Sequence, residues 1–290
     1  MMTCYNDIIL NRQFYKKQLN YHLKNICACS DIGKQRNRQE DSILVLENPL
    51  DNDIKIIAVA DGMGGLSNGG KASNIALLNL AKWFLYDLKC NNNLNNFIDK
   101  LKIMINEIDI MIRNNCNGGG TTLSTAIILK NNTIFINIGD SRIYIKNNNN
   151  FFQLSKDHSI VWDMYEKGEI INKDDMRFHK KNNLITSRLG CESKRLKIDF
   201  NILDNLSYDD IFPFTDGVTD CLSDDVINKI VEDNSHADIS RVIVKNAIST
   251  NSYNLNLNPD EYYNEIYGGK DNSSAVVFSK KMDMGGNYDI

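Results

Sequence analysis

Proline is nearly absent from this chain, with three in 290 residues, and no stretch rich in proline or glycine divides it. A flexible linker is therefore excluded, and the chain reads as one large domain. No apolar run approaches the ~20 residues of a membrane-spanning helix, and no apolar core of a secretory leader follows Met1. Basic residues are not in excess: 33 Lys and Arg stand against 37 Asp and Glu, a net charge of −4. That removes the electrostatic reason to expect nucleic acid or a membrane surface as partner. The seven cysteines are odd in number and lack framework spacing, so reduced thiols and a cytoplasmic setting are expected. Cys27-Ala28-Cys29 has no matching Cys/His pair downstream and reads as a strand edge. What the chain does have is a hydrophobic share of 42% beside 24% charged residues, enough for a sizeable soluble core.

The chain is organised around residues 54–73, IKIIAVADGMGGLSNGGKAS. Ile54, Ile56, Ile57, Val59 and Ala60 make a short β-branched run, the pattern of a buried strand. It stops at Asp61-Gly62-Met63-Gly64-Gly65, where glycines permit backbone angles that other residues resist. Residues 67–88 then turn helical, with Ala72, Ile75, Ala76, Leu80, Trp83 and Phe84 near one face.

Around this stretch, residues 1–22 read as an arm, 23–30 as a strand, and 31–42 as a turn-rich segment carrying Arg36, Glu40 and Asp41. Strands are expected at 42–46, 122–129, 133–138, 141–146, 196–203, 210–215 and 275–278, and a turn at 49–53. A second helix carries Phe97, Leu101, Met104, Ile105, Ile108 and Ile112 at helical spacing. Residues 147–150 read as a hairpin tip, 161–167 as a helix, 237–249 as the last helix and 251–269 as a loop.

Asp61, Asp140, Asp216 and Asp271 each sit where a strand meets a turn, positions that line the edges of packed sheets. Two carboxylates ~4 Å apart repel by about 4 kcal/mol at an effective dielectric near 20, so convergence of four needs cations. Oxygen ligands without a His/Cys set favour Mg²⁺ or Mn²⁺ over zinc. For any single Asp-Gly pair, a plain turn cap is the commoner explanation. The set of four carries the metal reading.

The ordered series Arg36…Glu40-Asp41-Ser42, Asp61-Gly62-Met63-Gly64-Gly65, Gly120-Thr121-Thr122, Gly139-Asp140-Ser141-Arg142, Asp157-His158-Ser159, Thr215-Asp216-Gly217 and Asp271-Asn272 resembles the metal-dependent type 2C protein phosphatases. The resemblance runs from about residue 25 to 279 and is nearest to the compact bacterial branch. It implies an α+β fold, a four-layer α-β-β-α sandwich of two antiparallel β-sheets flanked by helices, over residues 23–280 with a tail at 281–290. It further implies two core Mn²⁺ or Mg²⁺ ions, with Asp61 bridging them, the Gly62 carbonyl on one, and Asp216 and Asp271 on the other. Asp140 would help hold a third ion. Glu40 and Asp41 would orient metal-bound water, and Arg36 would grip the substrate phosphate. The implied reaction is hydrolysis of phosphoserine or phosphothreonine in proteins by in-line attack of that water, without a phosphoenzyme. The partners implied are phosphorylated substrates of a Ser/Thr kinase, met by a monomer. Residues 159–181 correspond to a mobile flap beside the cleft.

The sequence departs from that family's pattern at three places. Met63 stands where many members carry a histidine, Gln39 replaces a frequent asparagine, and Ser187 interrupts a Thr-Arg pair before Arg188. His158 and Arg142 read as structural residues. Two rival readings remain. Gly65-Leu66-Ser67-Asn68-Gly69-Gly70-Lys71 fits a phosphate-binding G-x-x-x-x-G-K loop, but Ala72 stands where a hydroxyl is needed. A pseudophosphatase that binds phosphoproteins without hydrolysing them is the other, and retention of every acid argues against it.

Overall fold

A computed structural model describes residues 18–23, 25–64, 68–88, 94–148, 150–191, 196–254 and 256–281. Most of the arm, most of the tail, and Gly65 to Ser67 of the central stretch lie outside the described residues. With strands numbered in chain order, the first ones are β1 (Gln18–Leu23), β2 (Ile26–Asp31), β3 (Ser42–Asn48), β4 (Asp51–Ala60) and β5 (Gly62–Met63). Next come β6 (Gly120–Thr121), β7 (Leu123–Ile128), β8 (Asn132–Ile138), β9 (Arg142–Asn147) and β10 (Asn150–Gln153). The last five are β11 (Asp199–Asp204), β12 (Asp210–Phe214), β13 (Asn251–Tyr253), β14 (Glu265–Tyr267) and β15 (Ser273–Ser279). The helices are α1 (Asn68–Lys82), α2 (Leu94–Asn115), α3 (Ile160–Glu166), α4 (Asp216–Thr219), α5 (Asp224–Asp233) and α6 (Ile239–Ser249).

Two antiparallel sheets form the centre. One has six strands in the order β1-β2-β15-β12-β9-β10, the other five in the order β11-β8-β7-β4-β3. Residues 54–60 of β4 are buried on both faces, and strand alternation sends successive side chains to opposite sides. Ile57 and Val59 face the other sheet, among Ala28, Ile43, Ile143 and Val276. Ile54, Ile56, Ala58 and Ala60 face outward onto Leu77 and Leu80 of α1 and Leu101, Ile105 and Ile108 of α2. On the far side, Cys27, Cys29, Phe212, Phe214, Ala275 and Val277 pack against Ile227 and Val231 of α5 and Ile243, Val244 and Ala247 of α6. The result is the expected four-layer α-β-β-α sandwich. Both sheets are covered on both faces, so truncating a residue such as Ile57 to Ala should cost about 2–5 kcal/mol.

Several boundaries differ from expectation. Residues 23–30 are not one strand: β1 and β2 form a hairpin in register Leu23↔Ile26, and no glycine or proline marks the reversal. Gln18–Leu23 thus extends the six-stranded sheet into the region expected as an arm. Cys27 and Cys29 lie in β2 between β1 and β15, not at an edge. The turn before β4 is shorter than expected, because β4 already begins at Asp51 and pairs there with Asn48 after a register shift. Residues 251–269 carry a hairpin, β13 with β14, where a loop was expected. Its asparagines and tyrosines give almost no period-2 signal to read. Among the described residues no helix is long and apolar enough to cross a membrane.

Candidate active site

Asp61 follows directly on β4, and the Gly-Thr-Thr segment holds its backbone. Its N–H donates to Thr122 Oγ1 (2.9 Å). Its carbonyl accepts from Thr121 Oγ1 (2.8 Å) and from the Thr122 N–H (2.9 Å). The next residue must be glycine for a steric reason. A Cβ on Gly62 would lie 2.2 Å from the Gly69 carbonyl oxygen, so only bare backbone lets the start of α1 close on this turn. The Gly62 N–H donates to the Glu40 carbonyl (3.2 Å), which also accepts from Ser73 Oγ (2.6 Å). The turn and the Glu40 segment are thereby locked together.

Asp41 is almost fully buried, with 1% exposure. Its Oδ2 accepts from Ser274 Oγ (2.7 Å) on β15 and from Thr215 Oγ1 (2.9 Å), which caps β12. Gln39 Oε1 accepts from the Asp41 N–H (3.3 Å) while its Nε2 donates to Ser30 Oγ (2.7 Å). Asn272 fixes the rest of the turn-rich segment, a role the sequence reading did not assign. Its Oδ1 accepts from the Glu40 N–H (2.8 Å), and its Nδ2 donates to the carbonyls of Ile32 (2.9 Å) and Arg38 (3.0 Å).

Asp216 opens α4, where it lies among other acids. Burial and the charges of neighbouring acids lift its carboxyl to about 6 and that of Asp41 to about 8. The same two causes raise Asp61 and Asp140 well above the ordinary carboxylate range. Burial also raises Glu40, although the Gly70 N–H and Arg36 act against it. One acid went unassigned in the sequence: Asp220, pushed up to about 7 by burial and by Asp216. It lines one small pocket with Asp140 and Asp216, beneath Met176, Arg177 and Asn182. A carboxylate four residues along a helix from Asp216 shares its face, and that spacing was the available signal.

Asp271 is turned to Arg36, whose Nη2 lies 2.6 Å from its Oδ2. Burial pulls the guanidinium down, but Asp271, with Asp61 and Glu40 nearby, more than offsets it and raises the pKa. Among the described residues, no three His, Cys, Asp or Glu side chains are already drawn into a ligand set. Acids this close cannot all ionise together without a cation. The residues nevertheless fit a divalent ion. Asp216 Oδ1 is buried with no hydrogen-bond partner, its neighbours are oxygen donors, and such a set suits Mg²⁺ or Mn²⁺. In position, the structure brings Arg36, Glu40, Asp41, Asp61, Gly62, Asp140, Asp216 and Asp271 to one edge of the sandwich.

The family model for Protein phosphatase 2C matches residues 27–164. A serine/threonine phosphatase of Listeria welshimeri is 30% identical over 259 residues, which cover 87% of this chain and 94% of that protein. The chain belongs to the protein phosphatase 2C family. It is a phosphatase of that family. The solved structure of the S. agalactiae serine/threonine phosphatase superposes with a TM-score of 0.72 at 25% identity, covering 88% of this chain and 99% of that one. The catalytic domain of the phosphatase PstP, solved with 2 manganese ions, gives a TM-score of 0.67 at 23% identity. It covers 88% of this chain and 96% of that one, and at that identity it bears on the fold alone.

Several residues that depart from the protein phosphatase 2C pattern, or fit a rival reading, have defined surroundings. Lys71 donates to the Asn115 carbonyl (2.7 Å) and so finishes α2, while Gly69 and Gly70 lie buried in α1. The described part of the G-x-x-x-x-G-K stretch is helix packing. His158 Nδ1 accepts from the Gly139 N–H (3.2 Å), and Arg142 is buried against Asp157, with Nη2 2.7 Å from its Oδ2. Arg142 also lines the pocket of Asp140, Asp216 and Asp220. Ser187 Oγ accepts from the Lys197 N–H (2.8 Å). Met63 pairs with Gly120 in β5–β6 and is partly buried.

Proposed function

We propose that this chain is a metal-dependent serine/threonine protein phosphatase that hydrolyses phosphoserine and phosphothreonine without a covalent phosphoenzyme. The single observation that carries the reading is the buried, unpartnered Oδ1 of Asp216 amid acids held at raised pKa. The serine/threonine phosphatases among its relatives support the substrate class.

Asp61, the Gly62 carbonyl, Asp216 and Asp271 would hold two Mn²⁺ or Mg²⁺ ions, and Asp140 would help hold a third. When bound, the ions supply positive charge against the phosphoryl oxygens and activate water for attack on phosphorus. The chain's own residues do the rest. Arg36 releases Asp271 and binds two phosphate oxygens through its planar fork. Glu40 and Asp41 accept hydrogen bonds from water at the centre, with Asp41 held in place by Thr215 and Ser274. Thr121 and Thr122 fix Asp61 before substrate arrives, so little reorganisation remains for the reaction.

The test is hydrolysis of p-nitrophenyl phosphate, a phosphothreonine peptide and ATP by the purified chain, with and without Mn²⁺. Metal-dependent release from the first two, with ATP spared, is the expected result. Preferential ATP hydrolysis, or binding of the phosphopeptide without turnover, would overturn it.

A further inference from the structure

Residues 251–254 and 256–269 follow α6, carry the hairpin β13–β14, and bring their tip to residues 178–180 of the segment expected as a flap. The contact is a short piece of antiparallel pairing. His179 bridges to Tyr262. The Lys180 N–H donates to the Glu261 carbonyl (2.9 Å), and the Tyr263 N–H donates to the Phe178 carbonyl (2.7 Å). The Lys180 ammonium then caps the carbonyls of Pro259 (2.7 Å) and Asp260 (3.0 Å). The His179 and Tyr262 rings meet edge to face, with centroids 5.0 Å apart at 89°.

The other end of the same segment reaches the Arg36 loop. The Gly268 N–H donates to the Thr250 carbonyl (2.8 Å), closing the base of the hairpin. The Gly269 carbonyl accepts from the N–H groups of Lys34 (2.7 Å) and Gln35 (3.3 Å). Two residues on is Asp271, the partner of Arg36. One stretch of backbone therefore grips residues 178–180 at its tip and the Arg36 loop at its base. Just before the gripped residues, Met176 and Arg177 line the pocket of Asp140, Asp216 and Asp220. Just past the flap, Asn182 Nδ2 donates to Asp220 Oδ2 (3.1 Å) of the same pocket.

We infer that residues 251–269 form a strap whose pairing at Glu261, Tyr262 and Tyr263 sets the distance between the flap and the Arg36 loop, and with it the affinity for phosphoprotein substrates. This rests on the proposed phosphatase function. Tyr262, Tyr263 and Lys180 are positioning residues, because none of them touches the acid cluster. A small aryl phosphate needs only the acids and Arg36. A phosphopeptide must also lie between the flap and the loop, and so feels their separation.

The test uses the full chain with Tyr263→Pro, which deletes the N–H donated to Phe178, and Lys180→Met, which removes the ammonium cap. Tyr263→Ala is the control, since the Tyr263 side chain is 52% exposed and the backbone bond survives. In both strap variants KM for a phosphothreonine peptide should rise about tenfold, the scale of losing one or two net hydrogen bonds, with kcat unchanged. Kinetics on p-nitrophenyl phosphate should stay within about twofold of wild type, and Tyr263→Ala should match wild type on both substrates. Amide hydrogen exchange across residues 176–181 should accelerate while β4 and β12 stay protected. An unchanged peptide KM, or equal losses on both substrates, overturns the strap. If wild type is inert on both substrates, the phosphatase reading fails, and exchange alone then judges the strap: unchanged protection at 176–181 defeats it.

Discussion

Arg36 and Asp271 form a 2.6 Å ion pair that joins the turn-rich segment before β3 to the start of β15. The pair ties a proposed phosphate-binding residue to a proposed metal ligand. Each group takes the other in place of its expected partner, and on the proposed reading a cation on Asp271 would free Arg36 for the phosphate.

Arg36→Ala should therefore lower kcat/KM on a phosphopeptide by roughly 10²-fold, about 2.7 kcal/mol of transition-state stabilisation. Arg36→Lys should recover only part, because an ammonium lacks the planar fork. Arg38→Ala, an exposed neighbour, should change little. Steady-state kinetics and thermal melts of the three variants check this. Wild-type kinetics for Arg36→Ala, or its unfolding, would remove the phosphate role.

Metal removal should leave a protein whose stability falls as pH rises. Asp216, Asp220 and Asp41 hold their protons to about 6, 7 and 8 when folded, whereas the unfolded chain releases them near pH 4. Across that window the folded state binds more protons than the unfolded one, so each step up in pH favours unfolding. The Tm of EDTA-treated protein should drop from pH 5 to pH 8.5, and Mn²⁺ should largely abolish the slope. A metal-free Tm that rises with pH would show that these acids are ionised in the fold.

Much of this was legible in the sequence, and the reasons differ by residue. Strand β4 was visible because both of its faces are buried, which makes its apolar run continuous. Asp61, Asp140, Asp216 and Asp271 were visible because each stands close beside an apolar strand run. Asn272 was named only as part of a motif, since its job is to hold carbonyls of residues 32 and 38, far off in sequence. Long-range pairing of that kind leaves no local period. The same holds for residues 251–269, whose partners lie on another segment. The hydroxyl pair on Asp41 comes from Thr215, just past β12, and Ser274 on β15, and only the folded sheet brings them together.

Asp140→Ala should spare the two-ion core, because Asp61, Asp216 and Asp271 remain. Turnover should fall while calorimetry still shows binding of the first two ions. Loss of all metal binding would contradict the assignment of Asp140 to a third ion.

Lys71→Ala should keep phosphatase activity near wild type, since the Lys71 ammonium caps α2 at Asn115. The expected cost is a small loss of stability, ~0.3–1 kcal/mol for a cation at a helix C-terminus. Kinetics beside a thermal melt separate the two effects. A folded but inactive variant would revive the phosphate-loop reading.

The central claim is that the acids around Asp216 work through divalent cations. Phosphate release from a phosphothreonine peptide by the full chain, followed first in Mn²⁺, then after dialysis against EDTA, then after Mn²⁺ is restored, tests it most directly. Release should stop on metal removal and return on replenishment. Release that continues after complete removal of metal would contradict it.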